Sequence, residues 1–237
     1  MLNEQEISEI IGRVRGRVEA VEGRTRTGPS LRAAAESAAL ASKLGDGIFS
    51  NIDEAIAAAR GAFLTYRDRG LEKRRVIVDA MRSAMLADGE RLAYLAREET
   101  GLGRAEDKVL KNRLVTVRTP GPEDLDPQAV TGDSGMMVTE FAPYGVIGSI
   151  SPTTNPTSTV INNAIAIISA GNAVTFNVHP SAKDVSVENI QVLNRAIMSA
   201  GGPPNLITAI AEPTLESAKR LMAHPDVPVL LVTGGPG

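Results

Sequence analysis

The chain has 237 residues, of which 43% are hydrophobic, and this is enough to build one large soluble domain with a short appendage. A net charge of −3 excludes a basic nucleic-acid-binding protein, and no apolar run approaches the roughly 18–20 residues that a membrane helix needs. Because cysteine is absent and only two histidines occur, the sequence excludes disulfides and thiol catalysis within these residues and predicts no metal site. The N-terminus lacks the uninterrupted apolar stretch of a secretion signal, so we expect a protein of the cytoplasm or of a compartment reached without secretion.

Residues 1–20 carry the pattern of a short amphipathic helix. Asn3 and Glu6 fit a capping box at its start. Apolar residues recur at helical spacing and form one stripe, which consists of Leu2, Ile7, Ile10, Ile11, Val14 and Val18. A helix this short is marginal alone in water, so the stripe needs a partner surface. That surface is the protein's own core, an external partner or a membrane, and a polar face as acidic as it is basic disfavours the membrane.

Residues 21–46 predict a flexible linker between that helix and a folded domain. Gly and Pro interrupt its first part, and the rest is rich in Ala and Ser with few large apolar residues. A linker that follows a short amphipathic helix indicates a tether, and this favours an external partner for the stripe. The folded domain is expected over residues 47–237.

The first part of the domain, to about Thr119, is predicted to be helical. Apolar residues at helical spacing predict four helices, over Asp53–Arg67, Leu71–Ala87, Gly89–Thr100 and Ala105–Arg118. Gly101 is well placed to cap the third of these helices. Three prolines then mark an irregular connection to the second part of the domain.

The second part of the domain alternates strands with helices. The predicted strands are Met136–Phe141, Val146–Ile150, Ala173–Asn177, Leu206–Ile210 and Val227–Val232. The predicted helices between them are Thr157–Ala170, Ala182–Ala200 and Thr214–Met222. Such alternation predicts an α/β fold with a parallel sheet, and continuous apolar strands are typical of a sheet covered on both faces.

Three turns after strands carry residues suited to chemistry, because ligands of parallel α/β sheets bind at the carboxyl ends of the strands. These turns are Ser151-Pro152-Thr153-Thr154-Asn155-Pro156, Asn177-Val178-His179-Pro180 and Thr233-Gly234-Gly235. An asparagine in the first turn can donate its amide to a developing oxyanion, and glycines in the third can let backbone N–H groups approach a phosphate. The alternative for each turn is an ordinary capping or connecting role. No G-x-G-x-x-G fingerprint supports dinucleotide binding.

These turns, in this order, resemble the aldehyde dehydrogenase superfamily from about residue 47 to residue 237. Four landmarks carry the resemblance, namely Gly145–Pro152, Gly171–Phe176, Gly201–Leu206 and Val232–Gly235. Three further runs are similar to the CoA-acylating propionaldehyde and acetaldehyde dehydrogenases, namely Glu98–Lys108, Ser151–Pro156 and Phe176–Pro180. The resemblance implies a Rossmann-type parallel sheet with N-terminal helices, incomplete at its C-terminus.

The resemblance implies that a short, propionaldehyde-like aldehyde is oxidised with NAD and coenzyme A to an acyl-CoA. In this chemistry a cysteine thiolate attacks the carbonyl, and hydrogen-bond donors hold the oxyanion that forms. The implied catalytic donor is Asn155, and Thr154 is the alternative because an ungapped match places it opposite the family's asparagine. The implied cofactor-binding residues are Ser151, Pro152, Thr153, Asn177, His179, Pro180, Thr233, Gly234 and Gly235.

The family's catalytic cysteine belongs to a later domain that these residues do not include, so the chain alone is expected to be inactive. Members of bacterial microcompartments carry an N-terminal encapsulation helix and a linker, which residues 1–46 match. The resemblance therefore implies a shell protein as the partner of residues 1–20, a microcompartment lumen as the location, and a homo-oligomer at full length. The alternative is an interaction protein, a cysteine-free remnant whose working part is the tethered helix. A half-built sheet of this kind is expected to expose an edge.

Overall fold

The computed structural model describes residues 43–234. The predicted helix over residues 1–20, most of the predicted linker and Gly235 lie outside that range. The last residues of the predicted linker contact the domain: Gln191 Nε2 donates to the Lys43 carbonyl at 3.0 Å, and Asn194 Nδ2 donates to the Asp46 carbonyl at 2.8 Å. None of the described helices combines the length and the apolarity needed to cross a membrane.

Three helices come first in the described part of the chain: α1 over Ile52–Tyr66, α2 over Leu71–Thr100 and α3 over Ala105–Arg118. The bounds of α3 are those predicted, and those of α1 differ by one residue at each end. Asn51 caps α1 by accepting a hydrogen bond from the Asp53 amide at 2.7 Å. Gly101 ends α2 with a φ of 68°, in the left-handed region that favours glycine.

The prediction of two helices over residues 71–100 is wrong, because α2 is continuous through Gly89. Glycine weakens a helix interior by about 1 kcal/mol, but here α3 packs against it. A Cβ at Gly89 would lie 3.6 Å from the Asn112 Cβ, and Asn112 Nδ2 donates to the Gly89 carbonyl at 2.8 Å. The packing of α3 against α2 therefore keeps α2 continuous through Gly89.

The strands, in chain order, are β1 over Ile48–Phe49, β2 over Gln128–Gly132, β3 over Gly135–Thr139, β4 over Val146–Ile150, β5 over Ala173–Asn177, β6 over Ile207–Ile210 and β7 over Val229–Val232. Five of them form one parallel sheet with the order β1-β6-β5-β4-β7. The α/β prediction is therefore confirmed, and β4 and β5 have their predicted bounds. The sequence does not predict β1, because a strand of two residues is too short to show a periodic pattern.

Three further helices connect the strands of the sheet: α4 over Pro156–Ser169, α5 over Lys183–Ser199 and α6 over Leu215–Met222. The chain runs from β4 through α4 to β5 and through α5 to β6, and α6 then returns it to the far side of β4 as β7. Helices α4 and α5 contact each other and α2, whereas α1 contacts α6. The two groups cover opposite faces of the sheet, and the strand order reverses at β4.

β7 is more exposed to solvent than the other long strands of the sheet. All of β5 and β6 is buried, and so are the first four residues of β4, as their continuous apolar sequences predict. In β7, by contrast, Leu230 is 39% exposed, Leu231 38% and Val232 61%. β7 is one of the two edge strands of the described sheet, so one of its sides has no neighbour among residues 43–234, and the exposed edge expected from the sequence lies here.

The predicted strand over residues 136–141 forms a hairpin. It is observed as β3, which pairs with β2 in antiparallel register, with Gln128 opposite Thr139 and Gly132 opposite Gly135. Every position of both strands is exposed. The sequence predicts no strand over residues 128–132, and the structure shows β2 there. Pro127 precedes β2 and Gly132 ends it, and because these residue types are typical of loops, the segment has the pattern of an irregular connection.

Candidate functional site

The reversal of strand order brings two of the three candidate turns together. Ile150 pairs with Val232, and the amide of Thr233 donates to the Ile150 carbonyl at 3.0 Å. Beyond the strands, a Cβ at Gly234 would lie 3.9 Å from the Pro152 Cβ. The turn after β4 and the turn after β7 therefore share one crevice, at the point where open α/β sheets bind ligands.

A cavity of about 310 Å³ adjoins this crevice. Its walls come from α3, α4 and the end of β7, and they consist of Lys111, Leu114, Val115, Asn155, Ser158, Thr159, Asn162, Asn163 and Thr233. Two of the predicted site residues, Asn155 and Thr233, thus face one space. Its size and its mixture of aliphatic and polar side chains suit a small organic molecule.

Asn155 lies at the N-cap of α4 with its side chain uncommitted to the helix. Its φ of −135° and ψ of 57° are non-helical, and the side chain makes no capping hydrogen bond. Its Oδ1 accepts from Lys111 Nζ at 3.1 Å, while its Nδ2 is 3.5 Å from Thr154 Oγ1, at the limit of a hydrogen bond. The amide hydrogens of Asn155 are therefore available to an acceptor beside the positive end of the α4 dipole.

Thr154 is held through its backbone rather than through its side chain. Its carbonyl accepts from Lys108 Nζ at 3.0 Å, and its own side chain is exposed. Lys108 is only 5% exposed, and burial, followed by the nearby charges of Lys111 and Arg97, lowers the pKa of its ammonium group. The buried lysine fixes the path of the turn immediately before Asn155.

Ser151, the first residue after β4, carries a buried hydroxyl group without a partner. The residue is 3% exposed, and its Oγ has no hydrogen bond within the described structure. Its amide donates to the Asn177 carbonyl at 3.3 Å, which holds the backbone beside β5. Buried polar groups are nearly always paired, so the Ser151 hydroxyl group has hydrogen-bonding capacity left for a bound group at this strand end. The sequence analysis selected Ser151 by resemblance, and no local signal identifies its burial.

The remaining candidate turn, residues 177–180, follows β5, and its two polar side chains differ in their surroundings. Asn177 is 4% exposed, and its Oδ1 accepts from Ser217 Oγ at 2.5 Å. This bond ties the end of β5 to the first turn of α6, so the Asn177 side chain is already engaged. His179 and Pro180 are exposed, and His179 Nδ1 accepts from the Ser181 amide at 3.1 Å. Of the two polar side chains, His179 is the one open to a ligand.

A second cavity, of about 500 Å³, lies beyond the ends of β1 and β6. It is lined by Ser50, Asn51, Ile52, Asp53, Ile210, Glu212, Thr214, Glu216, Ser217 and Arg220. It adjoins the turn after β5, because Asn177 contacts both Thr214 and Ser217. The sequence does not predict this cavity, since its lining residues come from separate parts of the chain and form no motif.

Two lysines of α3, Lys108 and Lys111, contact the turn after β4, and the sequence alone does not predict either contact. Lys108 is the last residue of the run Glu98–Lys108 that resembles the CoA-acylating enzymes, but the resemblance implies no role for Lys108 or for Lys111. Only the packing of α3 beside the start of α4 brings them to the turn. A lysine on a helix is usually a solvated charge, so the sequence offered no local signal for either residue.

Comparisons with known proteins find a matching family and similar solved structures. The sequence pattern of the aldehyde dehydrogenase family matches residues 35–237. The CoA-propanoylating propanal dehydrogenase of Salmonella typhimurium is 47% identical over 193 residues, which are 81% of this chain and 42% of that protein. The chain thus spans less than half the length of this relative.

Two solved structures have the same fold. A propionaldehyde dehydrogenase from the fucose utilisation microcompartment of Clostridium phytofermentans is 43% identical with a TM-score of 0.78, over 80% of this chain and 44% of that one. The propionaldehyde dehydrogenase of Rhodopseudomonas palustris, with bound CoA and an acylated cysteine, is 40% identical with a TM-score of 0.79, over 81% and 44% of the two chains.

The unpaired hydroxyl group of Ser151 gives a prediction about stability. We expect Ser151→Ala to raise the free energy of unfolding by roughly 1 kcal/mol, because it removes a buried polar group that has no partner. Ser149→Ala is the matched control, because Ser149 is equally buried but accepts from Asn163 Nδ2 at 3.1 Å. That variant should lose about 1–2 kcal/mol. Thermal unfolding without ligand measures both, and equal losses in the two variants would show that Ser151 is paired.

Proposed function

Because the chain belongs to the aldehyde dehydrogenase family, we propose that it is the cofactor-binding part of an enzyme that oxidises a short, propionaldehyde-like aldehyde to an acyl-CoA with NAD. The balanced reaction is aldehyde, CoA thiol and NAD⁺ giving the acyl thioester, NADH and a proton. One observation carries the proposal: the turns after β4 and β7 meet in one crevice, and Asn155 and Thr233 line the adjoining cavity. The CoA-acylating relatives support the choice of reaction.

Asn155 is proposed as the side-chain donor to the oxyanion that develops on the aldehyde. The support is its available Nδ2, its place in the cavity wall and its position at the start of α4. Thr154 remains the alternative, because its hydroxyl group lies on the same turn and is exposed. The cavity walls do not include Thr154, and this favours Asn155.

The crevice between β4 and β7 is proposed to hold NAD, which when bound supplies the acceptor for the hydride. The residues fit such a group: Ser151 offers an unpaired buried hydroxyl group, and Gly234 has a φ of 152° and no side chain to obstruct a phosphate. Pro152, Thr153, Thr233 and Gly235 are proposed to line the same site. In this chain these residues bind and orient the cofactor and exclude water from it.

Asn177, His179 and Pro180 are proposed to approach the ribose or adenine side, where NAD and CoA bind in turn. The exposed imidazole of His179 is the group suited to direct contact. Asn177 would act indirectly, because its side chain holds Ser217 and with it the start of α6. Pro180 begins the short 3₁₀ helix Pro180–Ala182 and fixes the direction of the chain after His179.

The sequence pattern of residues 1–20 supports a second proposal, that this segment docks the protein to a microcompartment shell protein. The Clostridium relative is a microcompartment enzyme. The fully exposed β2–β3 hairpin supports a homo-oligomer of the complete enzyme, because a two-stranded hairpin with both faces in water is marginal without a partner. A microcompartment lumen is the proposed location.

Hydrogen exchange tests nucleotide binding with the chain itself. We expect NAD to slow amide exchange at residues 151–155 and 233–234, and either NAD or CoA to slow it at residues 177–180, because ligand contacts suppress local opening. The hairpin at residues 128–139 is the internal control and should exchange at the same rate throughout. Unchanged exchange in all three turns with both ligands would count against the proposed site.

Turnover tests the assignment of the oxyanion donor in the complete enzyme that supplies the cysteine. We expect Asn155→Ala to lower kcat by about 10²–10³-fold, which is the usual effect of losing one oxyanion donor. Thr154→Ala is the matched control on the same turn and should change kcat little. The reverse order of the two effects would assign the donor to Thr154, and two small effects would exclude both residues.

Localisation tests the docking proposal. Residues 1–20 fused to a fluorescent reporter should co-localise with shell proteins, and Ile7→Asp should abolish this by placing a charge in the apolar stripe. Glu9→Gln is the control, because helical spacing places Glu9 on the opposite face. If Ile7→Asp leaves the reporter with the shell, the stripe is not the docking surface.

A further inference from the structure

An asparagine can serve an oxyanion only when its amide is turned the right way. The side chain ends in a carbonyl oxygen, which accepts hydrogen bonds, and an amino group, which donates them. A rotation of about 180° exchanges the two and would present a lone pair, not a hydrogen, to developing negative charge. Something must therefore hold Asn155 in its donating orientation.

Lys111 supplies that constraint. Its ammonium group lies 3.1 Å from Asn155 Oδ1, and an ammonium group can donate but cannot accept. The contact is satisfied only when the carbonyl oxygen faces Lys111, which leaves Nδ2 on the other side. On that side the described structure offers only Thr154 Oγ1, at 3.5 Å. The amide hydrogens therefore stay available while the oxygen is engaged by a charge.

We propose that Lys111 is a positioning residue that orients and polarises the Asn155 amide for oxyanion stabilisation, an inference that rests on the proposed function. A hydrogen bond from a charged donor is roughly twice as strong as a neutral one. It withdraws electron density from the amide and makes the Nδ2 hydrogens better donors. Lys111 acts through Asn155 and does not itself contact the aldehyde.

Lys108 fixes the same turn from one helical turn earlier on α3. Its Nζ donates to the Thr154 carbonyl at 3.0 Å, so the two lysines hold consecutive residues, one by the backbone and one by the side chain. The ion pairs formed within residues 43–234 include neither lysine. Their positive charge therefore remains directed at the turn, beside the positive end of the α4 dipole.

The remaining cavity-lining residues of α3 cannot replace Lys111. They are Leu114 and Val115, whose side chains have no hydrogen-bond donor. Asn155 is also not fixed by its own helix, since its side chain makes no capping bond, and only its backbone carbonyl accepts from the Thr159 amide at 3.1 Å. The orientation of the amide thus depends on one side chain, and a single substitution can test it.

Side-chain amide resonances of the isotope-labelled chain report this contact without ligand or turnover. We expect Lys111→Met to shift the Asn155 Nδ2 resonances, because the charged donor on Oδ1 is lost, and Lys111→Arg to restore them largely. Arg113→Met is the matched control, since it removes the same charge from an exposed position two residues along α3. Backbone resonances elsewhere verify that each variant is folded.

Two results would overturn the proposal at this stage. One is an Asn155 resonance that does not respond to Lys111→Met, and the other is an equal response to Arg113→Met, which would indicate a general charge effect. Neither result depends on CoA or NAD binding. Failure of this inference is therefore distinguishable from failure of the proposed function, which the exchange experiment examines.

Kinetics of the complete enzyme provide a second test of the positioning role of Lys111. Lys111→Met should lower kcat roughly tenfold with KM for the aldehyde nearly unchanged, since part of one oxyanion donor's effect is lost. Lys111→Arg should recover most of the rate, and Arg113→Met should match the unsubstituted enzyme. A Lys111→Met enzyme with full kcat, or one in which only KM rises, would overturn the positioning role.

Discussion

The pairing of β4 with strands on both of its sides is the constraint on which the candidate site depends. β4 lies between β5 and β7, and both neighbours are parallel to it, so all three end at one edge. Glycine at position 148 allows the residues of β7 and the loop before it to pack closely on β4. A Cβ there would lie 2.8 Å from Leu230 Cδ2 and 2.9 Å from Val227 Cγ1. A side chain at that point would force the Leu230 and Val227 side chains out of their packing against β4.

Buried polar contacts then place α4 relative to that edge. Thr157, in the first turn of α4, donates through Oγ1 to Asn112 Oδ1 at 2.8 Å, and its carbonyl accepts from Asn189 Nδ2 at 3.1 Å. Asn112 also holds Gly89, so these contacts connect α2, α3, α4 and α5. A network of this kind fixes one arrangement of the helices, because any shift leaves buried groups unpaired. Because Asn155 lies two residues before Thr157, the same network also fixes its position.

The sequence predicted the parts of the fold that rest on local pattern. β4, β5 and α3 have their predicted bounds because apolar runs and helical spacing mark them and turn residues bound them. The continuity of α2 through Gly89 could not be predicted, because α3 supplies the stabilising contact. The site follows the same division: strand-end turns were found, whereas the Asn155–Lys111 contact joins residues 44 positions apart and exists only in the folded chain.

Because Lys108 is buried, the stability of the turn before Asn155 depends on pH. Its pKa is lowered in the fold, so the folded chain holds this proton less tightly than the unfolded chain does. While both states are protonated, the buried charge opposes folding. As pH rises through the folded pKa towards the unfolded value, the folded chain releases the proton first and this opposition fades. A neutral amine still donates to the Thr154 carbonyl. The geometry of the turn thus survives the loss of the charge, and a rise in pH through the folded pKa strengthens the local fold instead of loosening it.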